Sequence, residues 1–104
     1  MTVERFAFDK IADEKLVLSF DFSNALATGE TLTGVPTAVV SVVRGKDSTP
    51  NDLLNGACQI DASTKVVLLP VKGGIKGTEY NIRVVAATSN LLKVLAIDAV
   101  LPVV

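Results

Sequence analysis

The 104-residue chain has no histidine, no tryptophan, one cysteine, and only four phenylalanines and one tyrosine as aromatics. Without histidine it lacks the usual general base near neutral pH and the commonest nitrogen ligand for a metal. The single Cys58 excludes an internal disulfide. With no histidine to lower its pKa it is a poor nucleophile, and in Gly56-Ala57-Cys58-Gln59-Ile60 it reads as a small buried side chain. Ser19, Ser23 and Ser41 likewise have no base to activate them, which excludes serine-hydrolase chemistry. Ten basic and eleven acidic residues leave a net charge of -1, which offers no electrostatic footprint for nucleic acid or anionic lipid. No apolar run reaches the ~18 residues of a membrane helix, since Lys93, Asp98 and Pro102 interrupt the C-terminal stretch. Residues 1–15 are rich in charge and lack the apolar core of a secretory signal, so a cytosolic site of synthesis is expected.

What the chain has in excess is aliphatic side chain. The apolar fraction is 49% and the mean hydropathy is +0.47. A fold of 10.9 kDa exposes roughly 5,600 Å² and its unfolded chain roughly 15,800 Å², so about 65% of the surface is buried on folding. That allows one core, in a single domain over residues 1–104 with an N-terminal arm at about residues 1–10. So small a domain cannot hide this much apolar surface within itself, and contact with another subunit is the expectation.

Period-two alternation dominates the chain. In Leu16-Val17-Leu18-Ser19-Phe20-Asp21-Phe22 the leucines and phenylalanines share one face, while Ser19 and Asp21 share the other. That is a half-buried strand of an antiparallel sheet. Residues 25–34 read as a loop with an extended piece at 30–33, and Pro36 precedes a β-branched strand at 38–44. The most polar stretch, residues 45–56, reads as an exposed loop holding a turn of helix at 51–54. Residues 57–60, 65–71, 78–88 and 92–101 read as further strands. Pro70 cannot donate to a ladder, which places it at an edge, a bulge or a strand end. Tyr80, Ile82, Val84 and Ala86 share one face of their strand, as do Leu95, Ile97, Ala99 and Leu101 of the last. About seven short strands and no convincing helix predict an all-β fold, an immunoglobulin-like antiparallel β-sandwich. Gly77-Thr78-Glu79-Tyr80 at the head of a long strand has the form of a tyrosine corner, whose hydroxyl ties back to the preceding loop.

The carboxylates are the only plentiful reactive groups. Asp9, Asp13 and Glu14 lie near the N-terminus, and Asp47 and Asp52 lie in the polar loop. A glycosidase pair needs two carboxyls held about 5–9 Å apart, usually beside aromatic sugar platforms, and here Phe6, Phe8, Phe20, Phe22 and Tyr80 mostly fall at core-phased positions. The acids also lack the spacing of a calcium loop and read as solvated turn residues. Gly73-Gly74-Ile75-Lys76-Gly77-Thr78 superficially resembles a phosphate loop, but its lysine precedes the last glycine and a strand follows it. It reads as a corner in which glycines supply positive φ.

Three segments carry a resemblance. They are Phe8-Asp9-Lys10-Ile11-Ala12-Asp13-Glu14-Lys15-Leu16-Val17-Leu18-Ser19-Phe20-Asp21-Phe22-Ser23, then Ala25-Leu26-Ala27-Thr28-Gly29-Glu30-Thr31-Leu32, and Gly73-Gly74-Ile75-Lys76-Gly77-Thr78-Glu79-Tyr80-Asn81-Ile82. Together they resemble the small Ig-like virion proteins of bacteriophages of the fibre–tail adaptor type. The chain departs from that pattern at Phe22, where the pattern has tryptophan, and in its last hairpin, which lacks the usual glycine. The resemblance implies a non-enzymatic structural protein of the tail, an adaptor acting through protein–protein contacts. It implies no catalytic, cofactor-binding or metal-ligating residue, and a place in the virion after synthesis in the bacterial host cytoplasm. The expected partners are other virion proteins of tail, fibre or capsid and further copies of the chain, with no nucleic acid and no membrane. Alternatives are a capsid decoration protein, or a carbohydrate-binding or adhesion β-sandwich, which would want exposed Trp or Tyr platforms. Residues 38–43 and 92–101 are the candidate edge contacts, and residues 45–56 and 1–10 the candidate specificity elements.

Overall fold

The computed structural model describes residues 3–5 and 10–104. The strands are β1 (Val3–Arg5), β2 (Leu16–Asp21), β3 (Leu32–Arg44), β4 (Gln59–Ile60), β5 (Val66–Val71), β6 (Glu79–Thr88) and β7 (Val94–Pro102), with single 3-10 turns at Ser23–Ala25 and Pro50–Leu53. The expected all-β class holds. Two antiparallel sheets of three strands face each other, β3-β6-β7 and β2-β5-β4, and the short β1 lies parallel to β7 along Asp98–Val100.

The alternation read from the sequence decides which side chains meet between the sheets. Leu18, Phe20 and Phe22 from one sheet and Tyr80, Ile82, Val84, Ala86, Ala99 and Leu101 from the other are all buried, with Val67, Leu69 and Val71 of the central β5. Pro70 lies in β5 beyond the two residues that pair with β4, so its missing N–H breaks no bond to that strand. Its carbonyl accepts from the Asn55 N–H at 3.0 Å.

Several element bounds differ from the sequence reading, two of them with a clear local cause. The loop expected through Gly34 and the strand expected at 38–44 are one strand of thirteen residues. Its pairing with β6 shifts between Thr33 and Thr37, so Gly34, Val35 and Pro36 form an irregularity that the strand spans. β7 begins at Val94 instead of residue 92, because the chain is still turning there: Asn90 Oδ1 accepts from Leu92 N–H at 3.0 Å.

The expected N-terminal arm falls largely outside the described residues, and with it Phe6, Phe8 and Asp9. Its last residue is inside, and it is buried. Lys10 extends the pairing past β7, donating its N–H to the Pro102 carbonyl at 2.9 Å and accepting from Val104 N–H at 2.8 Å. Its ammonium donates to the carbonyls of Ile11 (2.9 Å), Ala12 (3.2 Å) and Gly73 (2.6 Å). The lysine thus pins the start of the body to the glycine corner. Burial lowers its pKa, partly offset by Glu14 and Asp13.

Candidate docking surfaces

Of the reactive groups singled out in the sequence, Asp47 and Glu14 are engaged in holding turns. Asp47 Oδ2 accepts from the Tyr80 hydroxyl at 2.7 Å, and Asp47 Oδ1 accepts from Thr49 N–H at 2.9 Å. These bonds hold the Asp47 carboxyl below the usual carboxylate range. The Tyr80 hydroxyl in turn accepts from Ile75 N–H at 2.9 Å, the tie expected of a tyrosine corner, while burial and the bond to Asp47 push its pKa up. Glu14 Oε1 accepts from Ile11 N–H at 2.8 Å, and Asp13 and Asp52 are exposed. Among the described residues no three His, Cys, Asp or Glu side chains gather to hold a metal. Cys58 is buried, its thiol donating to the Pro36 carbonyl at 3.0 Å, and burial raises its pKa. Ser19 and Ser41 stand on outward strand faces. Gly73, Gly74 and Gly77 all have positive φ, as the corner requires.

The loops and faces are more informative. One end of the molecule gathers residues 23–31, 61–64 and 89–93, joined by bonds from Leu32 N–H to the Thr64 carbonyl and from Ser89 N–H to the Thr31 carbonyl, each 2.8 Å. The hairpin tip there is tightly built. Thr88 Oγ1 donates toward the carbonyls of Asn90 and Lys93 at 3.0 and 3.1 Å, and Lys93 Nζ reaches Glu30 Oε1 at 2.7 Å and the Ala25 carbonyl at 2.6 Å. The ion pair holds the Glu30 carboxyl below its ordinary range. On this rigid turn Leu91 and Leu92 are 96% and 98% exposed. Sequence reading placed Leu92 in a strand. The signal that could have found the tip is the pair of leucines directly after Ser89-Asn90, where a hairpin ordinarily carries glycine.

Each sheet also turns apolar residues outward. On the β2-β5-β4 sheet, Val17, Leu68 and Pro70 with Ala57 and Gln59 line a shallow hollow of about 250 Å³. On the other sheet, Val39 and Val43 are exposed, and Val39, Ser41, Asn81 and Arg83 line a groove of about 330 Å³. Beside it Arg83 grips Asp98 with Nε on Oδ1 at 2.8 Å and Nη2 on Oδ2 at 3.0 Å. This bidentate pair holds the Asp98 carboxyl low and the Arg83 guanidinium high.

The candidate edges divide. β3 is the outer strand of its sheet, and the 3-10 turn Pro50–Leu53 lies against it, with Val40 N–H donating to Asn51 Oδ1 at 2.9 Å. That turn is the middle of the polar loop at 45–56, which is anchored by buried Leu53 and by Lys72 N–H on the Leu53 carbonyl at 2.8 Å. The loop therefore covers an edge as well as presenting Lys46 and Asp52 to solvent. β7, the other candidate, lies between β6 and β1 over Asp98–Val100.

The sequence model of one family, the podophage GP4 fiber-tail adaptor protein gp77, matches residues 10–94. The chain belongs to this family. The match begins at the buried Lys10, takes in the tyrosine corner and both apolar outward faces as far as Val94, and includes the Leu91–Leu92 tip. Membership indicates a phage tail fibre adaptor and a virion component, as the resemblance implied. No curated protein and no solved structure matches the chain.

Proposed function

We propose that the chain is a non-enzymatic adaptor that joins tail and fibre proteins of a podophage particle, and further copies of itself, through protein–protein contacts. The family match over residues 10–94 carries this reading. The apolar tip and the two outward faces supply the contact chemistry, since apolar patches displayed on a rigid frame mark interaction sites. The engaged carboxylates, the buried Cys58 thiol and the absence of histidine support a role without catalysis. The chain would be made in the host cytoplasm and carried in the virion, without nucleic-acid or membrane contact of its own. Phe20, Phe22 and Tyr80 are buried, which weighs against the carbohydrate-binding alternative, and the tail family weighs against a capsid decoration protein.

The proposal takes residues 1–104 as a single immunoglobulin-like domain with its arm at about residues 1–10. The strand orders β7-β6-β3 and β2-β5-β4 support it, being those of the G-F-C and B-E-D sheets of such sandwiches, with Tyr80 near the start of the F-equivalent strand. The test is add-back. Particles assembled without this chain are mixed with purified chain and purified fibre, and fibres per tail are counted by electron microscopy. Restored fibres that depend on the chain are expected. Full fibre occupancy without it would overturn the proposal.

A further inference from the structure

We infer that the chain carries a self-modifying site at Asn55-Gly56, where the asparagine side chain closes on the following backbone nitrogen and ends as a carboxylate. The inference goes beyond the adaptor reading and does not rest on it. The chemistry needs an asparagine side chain free to turn and a following N–H without an acceptor. It also needs a following residue with no side chain to crowd the attack. Asn55 and Gly56 are both exposed, and among the described residues neither the Asn55 side chain nor the Gly56 N–H joins a hydrogen bond. The backbone of Asn55 is anchored all the same, its N–H donating to the Pro70 carbonyl at 3.0 Å. The fold itself asks for the glycine. Gly56 has φ +111, a conformation that residues with a side chain rarely adopt. A bulkier neighbour that would shield Asn55 is therefore strained at position 56.

Each of the other asparagines lacks one or more of these conditions. Asn24 precedes Ala25, whose N–H is bonded to the Phe22 carbonyl at 2.9 Å. Asn51 precedes Asp52, whose N–H is bonded to the Thr49 carbonyl at 3.0 Å, and Asn51 Oδ1 accepts from Val40 N–H at 2.9 Å. Asn81 lies within β6, paired on both sides, and precedes the β-branched Ile82. Asn90 Oδ1 accepts from Leu92 N–H at 3.0 Å, and the bulky Leu91 follows it. At Asn55 the Gly56 nitrogen gives its proton to hydroxide and attacks the Asn55 Cγ. The new N–Cγ bond closes a succinimide ring, the Cγ–Nδ2 bond breaks, and ammonia leaves with a proton taken from water. Water then opens the ring at either carbonyl, giving an aspartyl or an isoaspartyl residue at position 55. Either product adds one negative charge to a chain of net charge -1. The charge enters at a residue bonded to Pro70 and two places from Ala57, both of which line the hollow on the outward face of the β2-β5-β4 sheet. That lining holds no charged residue, so the modified chain presents an altered outward face.

The experiment incubates the full chain in mildly alkaline buffer, folded in one sample and unfolded in guanidinium chloride in another. It runs until the unfolded sample has converted half of its Asn55. Tandem mass spectrometry of the tryptic peptide spanning residues 47–65 reads a gain of about 1 Da at Asn55. Labelling by an isoaspartyl methyltransferase reports the isomerised product. The folded chain is expected to convert Asn55 at a rate within about tenfold of the unfolded one, because no local opening has to come first. Conversion is expected to quicken as pH rises and to leave Asn24, Asn51, Asn81 and Asn90 of the folded chain intact. Asn55→Gln, at an exposed position, is expected to remove both the mass gain and the methyltransferase label. A folded chain that converts Asn55 more than about tenfold slower than the unfolded one would show that the fold shields the site, and would overturn the inference. Earlier conversion of another asparagine in the folded chain, or an undiminished label in Asn55→Gln, would overturn it as well.

Discussion

At the scale of single residues, the pairs that matter join distant positions. Asp98 is almost wholly buried against Arg83, fifteen positions away, with Asn81 Nδ2 at 3.4 Å from the same carboxylate. Nothing in the composition marks that pair. A tight turn at Ser89–Asn90 alone would set Arg83 opposite Ala96, but the hairpin closes at Ala87↔Val94 and puts Arg83 opposite Asp98. Lys10 was equally illegible, because a lysine in a charged arm reads as solvated and its acceptors are backbone carbonyls brought in by the glycine corner. By contrast, Tyr80 and its hydroxyl tie were legible, because the glycine-to-tyrosine spacing encodes them. The acid pairs make a prediction. Asp21, Glu30, Asp47 and Asp98 all have folded pKa values below their unfolded ones, which are about 3.9 for Asp and 4.3 for Glu. Their stabilisation is fully present above those unfolded values and is lost as pH falls through the lower, folded ones. Urea unfolding is expected to show flat stability from about pH 7 to 5 and a decline below about pH 4. Asp98→Asn is expected to be less stable than wild type at neutral pH, the gap narrowing as the medium is acidified. An equal gap at neutral pH and at about pH 2.5 would show that Asp98 acts by packing and not by charge.

At the scale of elements, strands with clean alternation were readable and irregular ones were not. β2 and β6 bury the faces that period two assigns to them, because each packs one side against the opposite sheet. β3 was split by its Gly34 and Pro36, residues that locally oppose a strand, and long-range pairing with β6 overrides them. The covered edge of β3 was not readable, since it depends on a loop residue, Asn51, finding Val40 across space. The glycine corner separates backbone freedom from space. Gly74 has φ +95, and a methyl there would meet Val103 Cγ2 at 2.9 Å and Leu53 Cδ1 at 3.2 Å. Gly29 has φ +80, with nothing within 4 Å of such a methyl. Gly29→Ala is expected to cost about 1 kcal/mol from the backbone alone, and Gly74→Ala about 2–4 kcal/mol because overpacking adds to it. Urea midpoints measure both. Equal losses would mean that the corner yields without cost and that its packing against β6 and the C-terminal Val103 is loose.

At the scale of the whole molecule, the sequence announced surplus apolar surface without saying where it lies. The structure puts it on an end and two faces: the leucine tip, the hollow of the β2-β5-β4 sheet, and Val39 with Val43 on the other sheet. A sandwich this small has one core, and among the described residues the side chains on the far side of each sheet have little of their own chain to pack on. The tail fibre adaptor family was legible through resemblance and not through the chemistry of single residues. The central claim is position in the particle. Electron cryo-microscopy of the assembled virion is expected to show the sandwich, 41 Å long and 23 Å across, bridging tail and fibre at each attachment site. Finding it on the capsid lattice, or finding fibre seated directly on tail with no such density between them, would contradict the account.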